Sequence, residues 1–183
     1  MKTHIGAAIG TGPMSSGAMS SGAWGGGLRA VAFAVALGCG LVAGTFFAFS
    51  TFVMPALNRL PPAQAVAAMQ SINRLAVTPL FMLVVFGTAL ACLGLAVRAG
   101  LTLQTPGARW ILAGCLLYLV GAIAVTVAAN VPLNNALVLL DPHGPSAAGH
   151  WAAYLRTWTA WNHVRCVASL AAAGLLTIGL IAA

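Results

Sequence analysis

Four apolar runs decide what this chain can fold into. They cover roughly residues 29–56, 75–97, 110–129 and 161–183, and about 20 apolar residues in helical form cross the hydrocarbon core of a bilayer. In lipid the backbone must satisfy its own N–H and C=O groups, so runs of this length become helices. Hydrophobic residues make up 61% of the 183 residues and charged ones 5%, which excludes an ordinary water-soluble domain, where about 25% charge is usual. The expectation is an all-α polytopic membrane protein, a four-transmembrane-helix bundle over residues 28–183. A Gly/Ser-rich tail over residues 1–27 precedes it. The tail repeats MSSGA, cannot bury a core, and lacks the continuous apolar stretch of a secretory signal. The first span is therefore expected to act as the insertion signal.

The connections differ in kind. After the first span comes NRLPPAQAVAAMQSINR, where Pro61 and Pro62 can start a short interfacial helix with Val66, Met69 and Asn73 on one face. The link bracketed by Arg98 and Arg109 is short and favours an antiparallel hairpin. After the third span, NVPLNNALVLLDPHGPSAAGHWAAYLR is too polar and too broken to cross lipid, and Pro132 can open a second interfacial helix there. Gly38, Gly40 and Gly44 would let a neighbour approach the first span closely, and Pro79 would kink the second. An even number of spans puts both termini on one side. Lys2, Arg29, Arg98 and Arg109 on that side against Arg59, Arg74 and Arg156 on the other tilt the positive-inside count toward cytoplasmic termini.

Eight basic residues face a single acid, Asp141, so no internal salt-bridge network can form. The cations stand singly at the ends of apolar runs, which argues against nucleic acid as a partner and for lipid phosphates as counterions. Cys39, Cys92, Cys115 and Cys166 each fall in a different run with no metal or redox spacing, and read as small buried residues. Paired carboxylates, a P-loop, GxGxxG and HExxH are all missing from the sequence. Proton-coupled transport, which usually employs intramembrane acids, is disfavoured.

Polar and aromatic chemistry gathers at one end. If residue 151 onward is one helix, Trp151, Tyr154, Trp158, Trp161, Asn162 and Arg165 share about a third of its circumference at 100° per residue. An aromatic belt explains one or two of these, not a stripe of about four turns ending in Asn and Arg. Asn73, Arg74, Asn130 and Asn134 fall on the same side of the membrane. Asparagine amides can bond one another, backbone broken at Pro, or a bound carbonyl. Arg74 and Arg165 need a partner that a chain with one acid does not supply: a carbonyl, a phospholipid headgroup, or an external anion. His163 lies off the stripe, and both interfacial hydrogen bonding and ligation are open to it.

The segments AGTFFAFSTFVMPALNRLP, AMQSIN and VTVAANVPLNNAL, the Trp151–Tyr154 spacing, and WTAWNHVR resemble the anthrone oxygenase-like family of small membrane proteins. The similarity runs from about residue 38 to the end, and NVPLNN and WNHVR are its most specific parts. It implies a bundle of about four helices and, as in fungal members, oxidation of an anthrone to an anthraquinone by dioxygen. It also implies a bacterial inner-membrane location and haem as a cofactor, with His163, the one histidine beside a span, as candidate metal ligand. On this reading Arg165, Asn162 and Asn130 would stabilise an enolate; Tyr154, Trp158, Trp161, Asn73 and Asn134 would hold a flat substrate; and Arg74 and Arg165 would meet haem propionates. The expected function is a membrane-embedded oxidoreductase of oxygenase or oxidase type acting on an aromatic or quinone-like molecule. The other reading is a non-enzymatic membrane protein that binds a lipid or lipophilic ligand, or a subunit of a membrane complex. Lipids, a lipophilic substrate and a second copy of the chain are the partners expected.

Overall fold

The computed structural model describes residues 24–183. Of the expected tail, residues 1–23 lie outside the described residues. Trp24 is buried, and its indole donates to the Pro106 carbonyl at 3.2 Å.

Five helices follow, and no strand occurs among the described residues. Four are long and apolar enough to cross a membrane: α1 (Gly26–Leu57), α3 (Pro79–Gly100), α4 (Ala108–Val138) and α5 (Ala147–Ala182). The chain is an integral membrane protein. The fifth, α2 (Pro62–Leu75), starts at the Pro61–Pro62 pair, as that pair predicts, and packs on α5 and the end of α4. α5 lies against α1 and α4, α4 against α3, and α3 against α1, which closes the bundle into a ring. At one end Arg29 donates to the Leu180 carbonyl at 3.3 Å, and the start of α1 and the end of α5 both meet the 100–107 turn there, through Trp24 on Pro106 and through Gly179 and Ala183 beside Gly107. Gly107, at φ +79°, begins α4 in the left-handed region that glycine alone enters without strain.

Two boundaries differ from the sequence expectation. The second span starts at Pro79 and is not kinked there: Pro sits at the first helical position, and the Thr78 hydroxyl accepts from the Phe81 amide at 3.4 Å. In the connection between the third and fourth spans, Pro132 does not open a separate interfacial helix. α4 runs through it to Val138.

The reason is a π turn. Proline lacks an N–H and clashes with the carbonyl four residues back; for Pro132 that is Ala128, inside the π turn Thr126–Asn130. For Pro55 in α1 it is Thr51, inside the π turn Phe49–Val53. In both, the wider turn gives the ring room and the helix continues. A third π turn, Leu83–Gly87 in α3, has its Val85 carbonyl taken up by the buried Tyr118 hydroxyl at 3.1 Å. Of the glycines expected in tight contact, Gly38 abuts Thr88, while nothing crowds Gly40 or Gly44.

Candidate functional site

α5 is one uninterrupted helix, so the stripe does form a face. Trp151, Tyr154, Trp158, Asn162 and Arg165 are buried along it, while Trp161 is 43% exposed at its edge. Trp151 stacks on Tyr154 at 5.8 Å between ring centroids and Tyr154 on Trp158 at 6.2 Å. Phe49 of the α1 π turn tilts against Trp158 at 5.7 Å.

Arg165 is 5% exposed in the middle of the bundle. One guanidinium nitrogen donates to Asn162 Oδ1 at 2.6 Å and the other to Thr126 Oγ1 at 3.2 Å. Its Nε has no acceptor among the described residues. The cation lies 4.2 Å from the centre of the Phe46 ring and 5.2 Å from that of Trp158, so π faces carry part of its charge. The chain's one acid, Asp141, lies in the 138–147 connection, where its side chain accepts from the His143 amide at 3.0 Å.

Asn162 fixes this arrangement. With Oδ1 turned to Arg165, its Nδ2 donates to the Phe46 carbonyl and to Ser50 Oγ, each at 2.7 Å. Ser50 lies in the α1 π turn with Phe46 one turn before it, and Thr126 opens the π turn Thr126–Asn130 of α4. The guanidinium is thus held between two irregular turns. Asn130, fully buried, donates to the Trp158 carbonyl at 3.2 Å. Asn134 accepts from both the Tyr154 hydroxyl at 2.9 Å and the Trp158 indole at 2.8 Å through a single oxygen, which leaves its amide N–H groups to face elsewhere.

Beside these groups is a cavity of about 300 Å³. Arg165, Thr126, Asn134, Asn73 and Thr45 supply its polar wall; Phe46, Phe49, Met69, Phe81 and Trp158 supply much of its apolar one. Val77, Phe86 and Val131 line it too and are themselves exposed on the outside of the bundle, so the cavity reaches the lipid-facing surface. The volume is at the lower end for small-molecule sites, and the mostly apolar lining with a few converging polar groups is their usual make-up.

The structure brings together Arg165, Trp158, Asn73 and Asn134 on the cavity, with Asn162, Tyr154 and Asn130 bonded directly behind them. Three proposed site residues stand apart. Arg74 is exposed, Trp161 lies at the edge, and His163 is exposed in a shallow groove with Ser50, Asn58 and Arg156. Phe46, Thr126 and Ser50 were given no role by sequence reasoning. Thr126 had a signal, as a hydroxyl inside an apolar run; Phe46 had none.

The lining does not fit a haem. No imidazole or thiolate borders the cavity, and these, with Tyr or a Met paired to His, are the usual axial donors. His163 opens on a different face, and no group of three or more His, Cys, Asp or Glu suited to a metal occurs among the described residues.

No curated protein and no solved structure matches the chain. A family match does exist, described as "Anthrone oxygenase", over residues 71–175. It spans more than half of the chain and includes Asn73, Thr126, Asn134, Trp158, Asn162 and Arg165, while Thr45, Phe46 and Ser50 of α1 lie before it. With that extent of match, the chain belongs to the anthrone oxygenase family.

Proposed function

We propose that the protein oxidises a flat, lipophilic carbonyl compound of the anthrone type with dioxygen, inside the cavity beside Arg165. The carrying observation is the buried guanidinium, which borders an apolar cavity with one N–H unclaimed and no carboxylate to neutralise it. An anthrone reacts with dioxygen through its enolate, whose oxygen becomes negative. A fixed cation in a low-dielectric pocket stabilises that oxygen far more than water does. Trp158 and Phe49 offer flat faces to the ring system.

The balance is simple. Two C–H bonds at the carbon opposite the carbonyl are lost, one oxygen atom of dioxygen becomes the new carbonyl there, and the other leaves as water. Arg165 holds the enolate oxygen, and Asn162 and Thr126 hold Arg165. No carboxylate or imidazole borders the cavity, so on this reading the site acidifies the substrate and the proton passes to water.

That same lack of a base favours a second reading, non-enzymatic binding of a lipophilic ligand that carries an oxygen. Purified protein in lipid nanodiscs, supplied with anthrone and dioxygen, separates the two. Oxygen uptake matched by anthraquinone absorbance, and reduced about 10²-fold or more in Arg165→Met, supports the oxygenase. Binding of anthrone with no uptake above the protein-free rate supports the second reading and ends the first.

A further inference from the structure

At about 100° per residue, Arg156 and His163 point away from Trp158 and Arg165 on α5. They open on a separate groove of about 430 Å³ between α1 and α5, whose walls include Pro55, Leu155 and Ala160. Asn58, Arg156 and His163 are its exposed polar groups, and none of the three side chains takes part in a hydrogen bond or ion pair among the described residues. The groove and the cavity share no lining residue.

The height of the groove in the membrane follows from α5. At one end of the bundle Arg29 donates to the Leu180 carbonyl, and an arginine at the end of an apolar run marks a boundary of the bilayer. Along the helix from Leu180, His163 is about 25 Å away and Arg156 about 36 Å, on either side of the roughly 30 Å hydrocarbon thickness. Arg156 therefore stands at the level of lipid phosphates, and His163 one step deeper, at the level of the glycerol esters. Below His163 the same side of α5 continues as Val164, Val167 and Leu170, all exposed. A cation, then an N–H donor, then an apolar strip matches the order of a phosphodiester, an ester carbonyl and an acyl chain. Imidazole keeps an N–H to donate in either protonation state.

We infer that this groove binds one anionic phospholipid, with its phosphodiester on Arg156 and Asn58, an ester carbonyl on His163 and a chain along Val164, Val167 and Leu170. Charge selects an anionic lipid over a zwitterionic one. An ammonium headgroup would find no carboxylate here, since the chain's one acid, Asp141, lies in the 138–147 connection. A phosphatidylglycerol headgroup brings the phosphate without the ammonium and offers hydroxyls to Asn58. The inference stands apart from the oxygenase reading, which concerns the cavity alone.

The test is native mass spectrometry of the full-length protein in detergent, titrated with phosphatidylglycerol and phosphatidylethanolamine of the same acyl chains. Wild type should retain one phosphatidylglycerol about tenfold more tightly than phosphatidylethanolamine, as one charge-assisted contact allows. Arg156→Gln should erase that preference, whereas His163→Leu should weaken both lipids alike, because both carry the ester. Arg74→Gln, an exposed cation on the same side but outside the groove, should change neither. A second measurement needs no variant: phosphatidylglycerol with a diazirine in its acyl chain should label residues 155–170 of α5 in preference to the rest of the chain. Equal retention of the two lipids by wild type overturns the inference, as does a loss in Arg74→Gln equal to that in Arg156→Gln, full affinity in His163→Leu, or labelling spread evenly over the four spans. Displacement of the lipid by inorganic phosphate would assign the groove to a soluble anion and overturn it too.

Discussion

Arg165 and Asn162, neighbours on one face of α5, are joined by a 2.6 Å bond from the guanidinium to Oδ1, and the same Asn162 is tied through Nδ2 to the Phe46 carbonyl and Ser50 of α1. The cation is thus anchored through an amide whose orientation a second helix dictates. An amide oxygen helps to solvate the guanidinium without cancelling its charge, which a carboxylate in that place would do.

Asn162→Asp tests that distinction. A carboxylate 2.6 Å from the guanidinium would neutralise the pole and turn away from the Phe46 carbonyl. Oxidation of anthrone should fall by more than tenfold while thermal unfolding in nanodiscs shows a folded protein. Unchanged turnover in this variant would mean that the positive charge is not used.

Asn162→Leu removes three hydrogen bonds and leaves the Phe46 carbonyl, Ser50 and the guanidinium each short of a partner. Unsatisfied buried groups cost about 1–3 kcal/mol each, so the apparent Tm should drop clearly. Arg165→Met contrasts with it: it removes a buried charge that has no acid partner and leaves Asn162 Oδ1 as the main group without a donor, so activity should be lost with a smaller fall in Tm. Comparing the two melts checks whether Arg165 serves the site and Asn162 the fold.

Thr126→Val keeps the shape and deletes one of the two side-chain acceptors of Arg165. Loss of one hydrogen bond to a charged group is worth about 1.5–3 kcal/mol when fully felt, and at least a tenfold fall in kcat/KM is expected. Steady-state oxygen uptake measures it. A KM change alone, with kcat intact, would place Thr126 outside the charge-stabilising set.

The stripe on α5 was legible because helical periodicity needs only one element: 151, 154, 158, 162 and 165 share a face whatever packs on it. Trp161 was drawn in by the same geometry, yet it sits at the edge of the arc, where a modest rotation decides burial. The π turns left no trace. Pro132 read as a break because a regular helix cannot hold it, and nothing in NVPLNN reveals that the preceding turn is wide enough to do so. Phe46 and Thr126 meet Arg165 through the register between helices, which a single sequence does not encode in any pattern of its own. Asn73 reached the cavity because α2 packs on α5; the sequence placed it on one face with Val66 and Met69 but did not say what that face would meet.

His163→Ala checks the expectation attached to the histidine beside the span. The side chain is exposed in a groove apart from the cavity, so anthrone oxidation and the absorption spectrum of the purified protein should both match wild type. Loss of a visible band together with activity would move the reaction centre to that groove.

The most direct measurement is the ultraviolet–visible spectrum of anthrone bound under argon at neutral pH. Stabilisation of the oxyanion by Arg165 predicts the red-shifted band of the enolate in wild type and the spectrum of the neutral ketone in Arg165→Met. A neutral ketone spectrum in both proteins, with saturating binding, would contradict the central role of that guanidinium.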